Sequence, residues 1–190
     1  MKSSKHIKSL IGFLCIIIMV ITVGCLGVKV PLSNYDPMVS GDYSVYRGKR
    51  VYLMNFDNQA NDTSIWRYYS VDQKFSYSIN NAIHNYFWHA FRDVFVKLGM
   101  LVSDVDNPDL HAPAMWITLL SITDEKYHVR LTVQERGLTV YTENFTIQEP
   151  PLVEKDRNPA ALEQRAYRMT NRLIAAILED PEVRKLLTKP

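Results

Sequence analysis

A long apolar run near the start of the chain constrains its architecture most strongly. Residues 10–23 contain no charged side chain and follow Lys2, Lys5 and Lys8. A helix on the surface of a globular domain keeps a polar face, and this run offers none. A positively charged start, an apolar stretch and a small-residue exit are typical of an export signal. The sequence therefore predicts that residues 1–24 form a signal peptide and take no part in the folded domain.

The exit of the apolar run resembles the lipobox of bacterial lipoproteins. It reads Thr22-Val23-Gly24-Cys25, with Thr at a position where Leu is common. In such lipoproteins the signal is removed before the cysteine, which is then acylated, so the resemblance implies that Cys25 is the lipidation site. The uncharged residues 9–28 would also span about 30 Å as a helix, enough to cross a bilayer. An uncleaved transmembrane anchor is therefore the alternative, and the lysines give both arrangements the same orientation.

The rest of the chain is nearly neutral and free of thiols. The chain has 22 Lys and Arg against 20 Asp and Glu, and removing the three lysines of the signal leaves 19 against 20. Clustered basic residues that indicate a nucleic-acid face are missing, so no nucleic-acid partner is expected. The two cysteines, Cys15 and Cys25, lie in the signal and at its exit. Without a disulfide, stability must come from the core or from assembly.

Composition divides the remainder into a linker and one domain. Residues 25–48 are predicted to be the lipid anchor and a flexible tether, because they hold Pro, Gly and polar residues without sustained periodicity. A coil of this length spans roughly 25 Å on average. Tyr35, Tyr43 and Tyr46 leave open that part of the segment docks on the domain or on a neighbouring subunit. Residues 49–190 are predicted to be a single domain.

The hydrophobic pattern of that domain predicts an α+β fold. Alternation with a period of two indicates strands, and a period near 3.6 indicates helices. Strands are predicted at 50–56, 100–103, 115–123, 127–134 and 138–147, the last with a bulge. Helices are predicted at 75–98, followed by Gly99, and from Asn158 and Pro159 to a break at Asp180-Pro181. The order β-α-β-β-β-β-α favours a mainly antiparallel sheet with both helices packed on one face. Residues 57–72 are predicted to be a long polar and aromatic loop.

Four short segments carry a family resemblance. They are KLGMLV at 97–102, PDL at 108–110, KYHVRL at 126–131 and TNRLI at 170–174. They resemble the YajG-like family of outer-membrane lipoproteins and related swivel-type α+β domains in lipoproteins of envelope and secretion machines. The resemblance implies an outer-membrane protein that faces the periplasm. Leu26, rather than Asp, follows the cysteine, which in that class implies sorting to the outer membrane.

The sequence carries no catalytic or metal-binding signature. There is no G-x-S-x-G motif around a serine, and His84 and His89 are five residues apart rather than the four of a zinc-binding helix. No cofactor, metal or catalytic residue is therefore predicted, and the protein is expected not to be an enzyme.

Aromatic residues supply the candidate partner-binding surface. Trp, Tyr and Arg are enriched in interface hot spots. The candidates are Trp66, Arg67, Tyr68 and Tyr69 in the aromatic loop, with Trp88 on the helix that follows. The competing interpretation is that Trp66 and Tyr69 cap one end of the core.

Together these features favour a non-enzymatic outer-membrane lipoprotein. It would be an accessory or scaffold subunit of an envelope assembly or secretion complex, with a homo-oligomeric ring as one form of assembly. The alternative is a periplasmic glycan-binding or small-molecule-binding lipoprotein whose aromatic side chains stack on sugar rings.

Overall fold

The computed structural model describes residues 27–32, 35–80 and 82–189. The predicted signal, Cys25 and residues 9–26 of the alternative anchor lie outside these residues, whereas Val28 at its end is the first residue of a strand. Within the part of the chain that is described, no helix is both long and apolar enough to cross a membrane. The strands are β1 Val28–Pro31, β2 Arg50–Leu53, β3 Asp57–Asn58, β4 Arg67–Tyr69, β5 Phe75–Ser78, β6 Leu101–Ser103, β7 Ala114–Ile122, β8 Lys126–Glu135 and β9 Leu138–Gln148. The helices are α1 Ile83–Lys97, α2 Pro159–Glu179 and α3 Pro181–Leu187.

The larger sheet confirms the α+β class and shows that its strands are mixed in direction. Its order is β6-β2-β7-β8-β9, and β3 continues beside β7 where β2 ends. Strand β2 is parallel to both β6 and β7, whereas β7, β8 and β9 are antiparallel to one another. Parallel neighbours need a long crossover, and the connection from β2 to β6 contains α1.

Both long helices pack on the same face of this sheet. The ring of Tyr127 on β8 lies 5.4 Å from that of Phe87 on α1, and its hydroxyl is 3.5 Å from the carbonyl oxygen of Ala166 on α2. Alternate residues of β8 are fully buried against the helices: Tyr127, Val129, Leu131 and Val133. The predicted alternation of this strand is therefore confirmed.

The helix ends follow the local sequence. Gly99, which follows α1 after the C-cap residue Leu98, takes a φ of +77°, a backbone conformation that glycine adopts without strain. The side chain of Asn158 accepts a hydrogen bond from Ala161 N at 3.0 Å, which caps α2 as predicted. Asp180 separates α2 from α3 and accepts from Val183 N at 2.9 Å. The predicted bulge in the last strand is also present, as a register shift between β8 and β9 at Val133 and Gln134.

The prediction of a helix over residues 75–98 is wrong for its first part. Phe75–Ser78 is the central strand of a second sheet, with the order β1-β5-β4, and α1 begins only at Ile83. Phe75, Ser76 and Tyr77 are all buried, so burial along this strand does not alternate. The predicted loop at 57–72 likewise contains β3 and β4. Strands β5 and β3 pair with β1 and β7, which are distant in sequence, whereas β4 pairs with the neighbouring β5.

The prediction of a flexible tether is also wrong for the described residues of 27–48. Strand β1 pairs in parallel with β5, and Val30 and Leu32 are buried in the core. Further along, Tyr43 and Tyr46 are buried and donate hydrogen bonds to Glu179 Oε1 at 2.9 Å and to the carbonyl oxygen of Leu178 at 2.5 Å. The segment is therefore part of the folded unit and lies against α2, which is the docking that its tyrosines left open.

Candidate functional site

The structure separates the five residues of the candidate surface. Tyr68 is fully buried, its ring is stacked 4.3 Å from that of Tyr77, and its hydroxyl lies 2.8 Å from the hydroxyl of Tyr127. Burial raises the pKa of Tyr68 well above its ordinary value, so the side chain stays neutral. Tyr68 belongs to the core and cannot contact a partner.

Trp66 is exposed and has an exposed apolar neighbour. The exposed fractions are 54% for Trp66 and 63% for Ile65, so the alternative that Trp66 caps the core is wrong. We call these two residues the Trp66 tip. Ile65 was not among the residues predicted for this surface. Its position beside Trp66 in a polar stretch was the available signal.

Backbone hydrogen bonds hold the Trp66 tip in place. The carbonyl oxygen of Ile65 accepts from Ile83 N, the first residue of α1, at 2.9 Å. Ser64 N donates to the carbonyl oxygen of Arg67 at 2.7 Å, and this hydrogen bond closes a tight turn around Ile65 and Trp66. An apolar pair on a fixed backbone loses little conformational freedom when a partner covers it.

Arg67, Tyr69 and Trp88 do not extend the tip into a continuous aromatic patch. Arg67 and Tyr69 lie on β4 and are half-buried. Trp88 lies more than a turn beyond the start of α1 and packs partly against the core. The guanidinium of Arg92 stands 6.0 Å from the centre of the Trp88 ring. Trp66 is thus the one member of the predicted set whose side chain is mostly accessible.

An ion-pair network fixes the turn between β4 and β5. The guanidinium of Arg157 binds Asp72 at 2.5 Å and Asp124 at 3.3 Å, and it stands 4.9 Å above the ring of Phe75. The backbone N–H of Val71 also donates to Asp124 at 2.9 Å. This guanidinium holds the pKa of the Asp72 carboxyl well below its usual range. The network ties the small sheet to the turn between β7 and β8.

Two clefts bear on the glycan-binding alternative. One encloses about 390 Å³, and its lining includes Lys49, Arg50 and Arg136 but no Trp, Tyr or Phe. Another encloses about 240 Å³ beside Tyr35 and Tyr86. Ligand pockets usually measure about 300–1,000 Å³ and present stacking surfaces to rings. Neither cleft combines that volume with an aromatic platform.

The described residues hold no preformed metal site. Across residues 27–32, 35–80 and 82–189, no group of three or more His, Cys, Asp or Glu side chains is placed to bind a metal ion.

Taken together, the geometry defines an α+β protein with a six-stranded mixed sheet covered by helices and a three-stranded sheet at its side. The Xanthomonas campestris protein XCC0632, assigned to the DUF330 family, has a similar structure. The TM-score is 0.60, the sequence identity is 8%, and the match covers 85% of this chain and 96% of that one. At this identity the likeness shows the fold alone. No protein-family model matches the chain, and no curated protein matches its sequence.

Proposed function

We propose that this chain is a non-enzymatic lipoprotein of the outer membrane, anchored through Cys25 and facing the periplasm. In this role it is an accessory or scaffold subunit of an envelope assembly or secretion complex. The proposal includes a relation to the YajG-like lipoproteins, which rests on the four short segments quoted above. A homo-oligomeric ring is one arrangement that the complex could take.

The observation that carries the partner-binding part is the Trp66 tip. A large aromatic side chain with 54% of its surface exposed, next to an Ile with 63% exposed, has no role in the core of the described domain. Exposed apolar groups on a rigid support favour a contact with another protein. The surface available to a partner is smaller than the sequence predicted, because Tyr68 is buried and Trp88 packs partly against the core.

Protein contact has more support than glycan binding. Sugar recognition through stacking needs aromatic faces that line a cleft, and the 390 Å³ cleft has none. We therefore place the glycan-binding or small-molecule alternative second. Thermal-shift screening against envelope polysaccharides tests it, because a ligand that binds only the folded state raises the melting temperature.

Mass measurement of the mature N-terminus tests the anchor. The expected product begins at Cys25 and carries acyl chains. A chain that still begins at Met1 and carries no lipid would overturn the lipoprotein assignment and favour the transmembrane anchor.

Crosslinking and mass spectrometry on native membranes test the partner surface. We expect the Trp66→Ala variant to lose its crosslinks to other envelope proteins and to keep its melting temperature within about 1 °C, since exposed substitutions rarely change stability. Met38→Ala is the matched control, because Met38 is 71% exposed at a different place. Equal crosslinking of Trp66→Ala and the unchanged chain would contradict the proposal. A melting temperature lowered by several degrees would assign Trp66 a structural role instead.

A further inference from the structure

Strand β9 forms an unusually long free edge of the larger sheet. It is 11 residues long and pairs on one side with β8, and no strand of the described chain pairs with its other side. The opposite edge strand, β6, has three residues, and the edge strands of the small sheet have four and three. Short edge strands resist unwanted pairing, whereas a long edge presents a row of unpaired backbone groups.

The sequence of β9 carries few of the features that protect an edge. LTVYTENFTIQ contains no proline and no lysine, and Glu143 is its only charged residue. Proline, lysine and bulges are the usual protection, and here the one bulge lies near Val140, at the start of the strand. The stretch from Tyr141 to Gln148 therefore remains regular and able to pair.

The ladder with β8 identifies which residues face the free edge. Glu149 N donates to the carbonyl oxygen of Glu125 at 3.0 Å, and hydrogen-bonded pairs alternate along an antiparallel ladder. Counting back in steps of two, residues 141, 143, 145 and 147 bond to β8. Residues 142, 144 and 146 then direct their N–H and C=O groups outward. One further contact agrees: Asn144 N donates to the side chain of Glu143 at 2.9 Å rather than to β8.

We propose that this edge binds a second copy of the same chain, with β9 pairing antiparallel to β9 of the partner across a two-fold axis at Asn144. Asn144 is the middle one of the outward-facing residues 142, 144 and 146. In this register Thr142 lies opposite Thr146, and Tyr141 lies opposite Ile147. Both are favourable cross-strand pairs. The larger sheets of the two copies become one continuous sheet.

Charge favours this occupant and this register. An axis at residue 143 would place two Glu143 carboxylates opposite each other, which is destabilising. The axis at Asn144 places Glu143 opposite Phe145 instead. In the single chain the Glu143 carboxylate occupies the outward N–H of Asn144, and pairing replaces that contact with an inter-strand hydrogen bond. This surface is separate from the Trp66 tip, so the inference does not depend on the proposed function.

Light scattering of the full-length chain in detergent tests the proposal. The unchanged chain should have twice the monomer mass. Asn144→Lys should raise the dissociation constant about tenfold or more, because it places two positive charges at the axis. Mixing Asn144→Lys with Asn144→Asp should restore a dimer of one copy of each.

Glu143→Ala should tighten the dimer by freeing the N–H of Asn144. Asn85→Lys, on the exposed side of α1, is the matched control and should leave the mass unchanged.

Hydrogen exchange at 142, 144 and 146 separates the other outcomes. A monomer whose amides at these positions exchange freely would show that the edge is unpaired and overturn the inference. Protection of the same amides in a monomer would mean that another segment or another protein covers the edge, which also overturns it. A dimer that Asn144→Lys does not weaken would place the interface elsewhere. None of these outcomes affects the tests of Cys25 or Trp66.

Discussion

Two stacked tyrosines in the core give a direct test of how buried hydroxyl groups contribute to stability. Tyr68 and Tyr77 are both fully buried, with ring centres 4.3 Å apart and planes within 4° of parallel. The hydroxyl of Tyr68 lies 2.8 Å from that of Tyr127, whereas the hydroxyl of Tyr77 has no hydrogen-bond partner among the described residues. Replacing either one by Phe keeps the ring and removes only the hydroxyl.

The two replacements should have different effects on the free energy of unfolding. Tyr68→Phe removes a hydrogen bond and leaves Tyr127 with the more distant contact to Ala166, so a loss of about 1–3 kcal/mol is expected. Tyr77→Phe removes a buried polar group without a partner and should leave stability unchanged or raise it by about 1 kcal/mol. For a domain of this size, 1 kcal/mol shifts the melting temperature by roughly 2–4 °C.

Thermal and urea unfolding of the two variants provide the measurement. We expect a melting temperature lowered by roughly 2–12 °C for Tyr68→Phe, and one equal to or above that of the unchanged chain for Tyr77→Phe. Equal losses in both variants would refute the reasoning, since they would require a hydrogen bond to the hydroxyl of Tyr77, for example from a buried water molecule.

Two further predictions concern the docked segment before β2. Asn171 Oδ1 accepts from the hydroxyl of Tyr35 at 2.6 Å and from Met38 N at 3.1 Å, so Asn171→Ala should make this region cleave faster in limited proteolysis. An unchanged cleavage rate would contradict this anchoring role. Burial raises the pKa of Tyr43 and of Tyr46 to about 12. An unfolded tyrosine ionises near pH 10, so the unfolded state loses protons that the folded state keeps, and stability should fall as the pH rises from about 10 to 12. Melting temperatures and tyrosinate absorbance measured together check this, and a flat profile over that range would disprove it.

Local patterns predicted the elements whose structure depends on their own sequence. The alternation of β8 and the amphipathic stripe of α2 are visible in single segments, and the cap at Asn158 and the break at Asp180 follow from residue type. The error at β5 has a different origin. Its four residues are too few to show a clear period, and their conformation is set by pairing with β1, which lies more than 40 residues earlier in the chain.

The candidate surface could be only partly predicted for a similar reason. Composition identified residues 66–69 as aromatic, but it could not show which side chains face the core. In the structure Tyr68 sits in the middle of a short strand and points inward, whereas Trp66 lies just before that strand and stays exposed. Alternation along a strand would place Trp66 and Tyr68 on the same face, because they are two residues apart. Only the fact that β4 begins at Arg67, after Trp66, separates the two.

The parallel pairing of β1 with β5 would limit how far the domain could move from the bilayer if Cys25 carries the proposed lipid. Only two residues lie between Cys25 and Val28, the first residue of β1, and these three residue steps span at most about 11 Å. A lipidated chain would therefore hold its small sheet close to the bilayer surface. The predicted flexible tether would instead have separated the domain from the bilayer by roughly 25 Å. A partner of the small sheet would then have to approach it at the membrane surface.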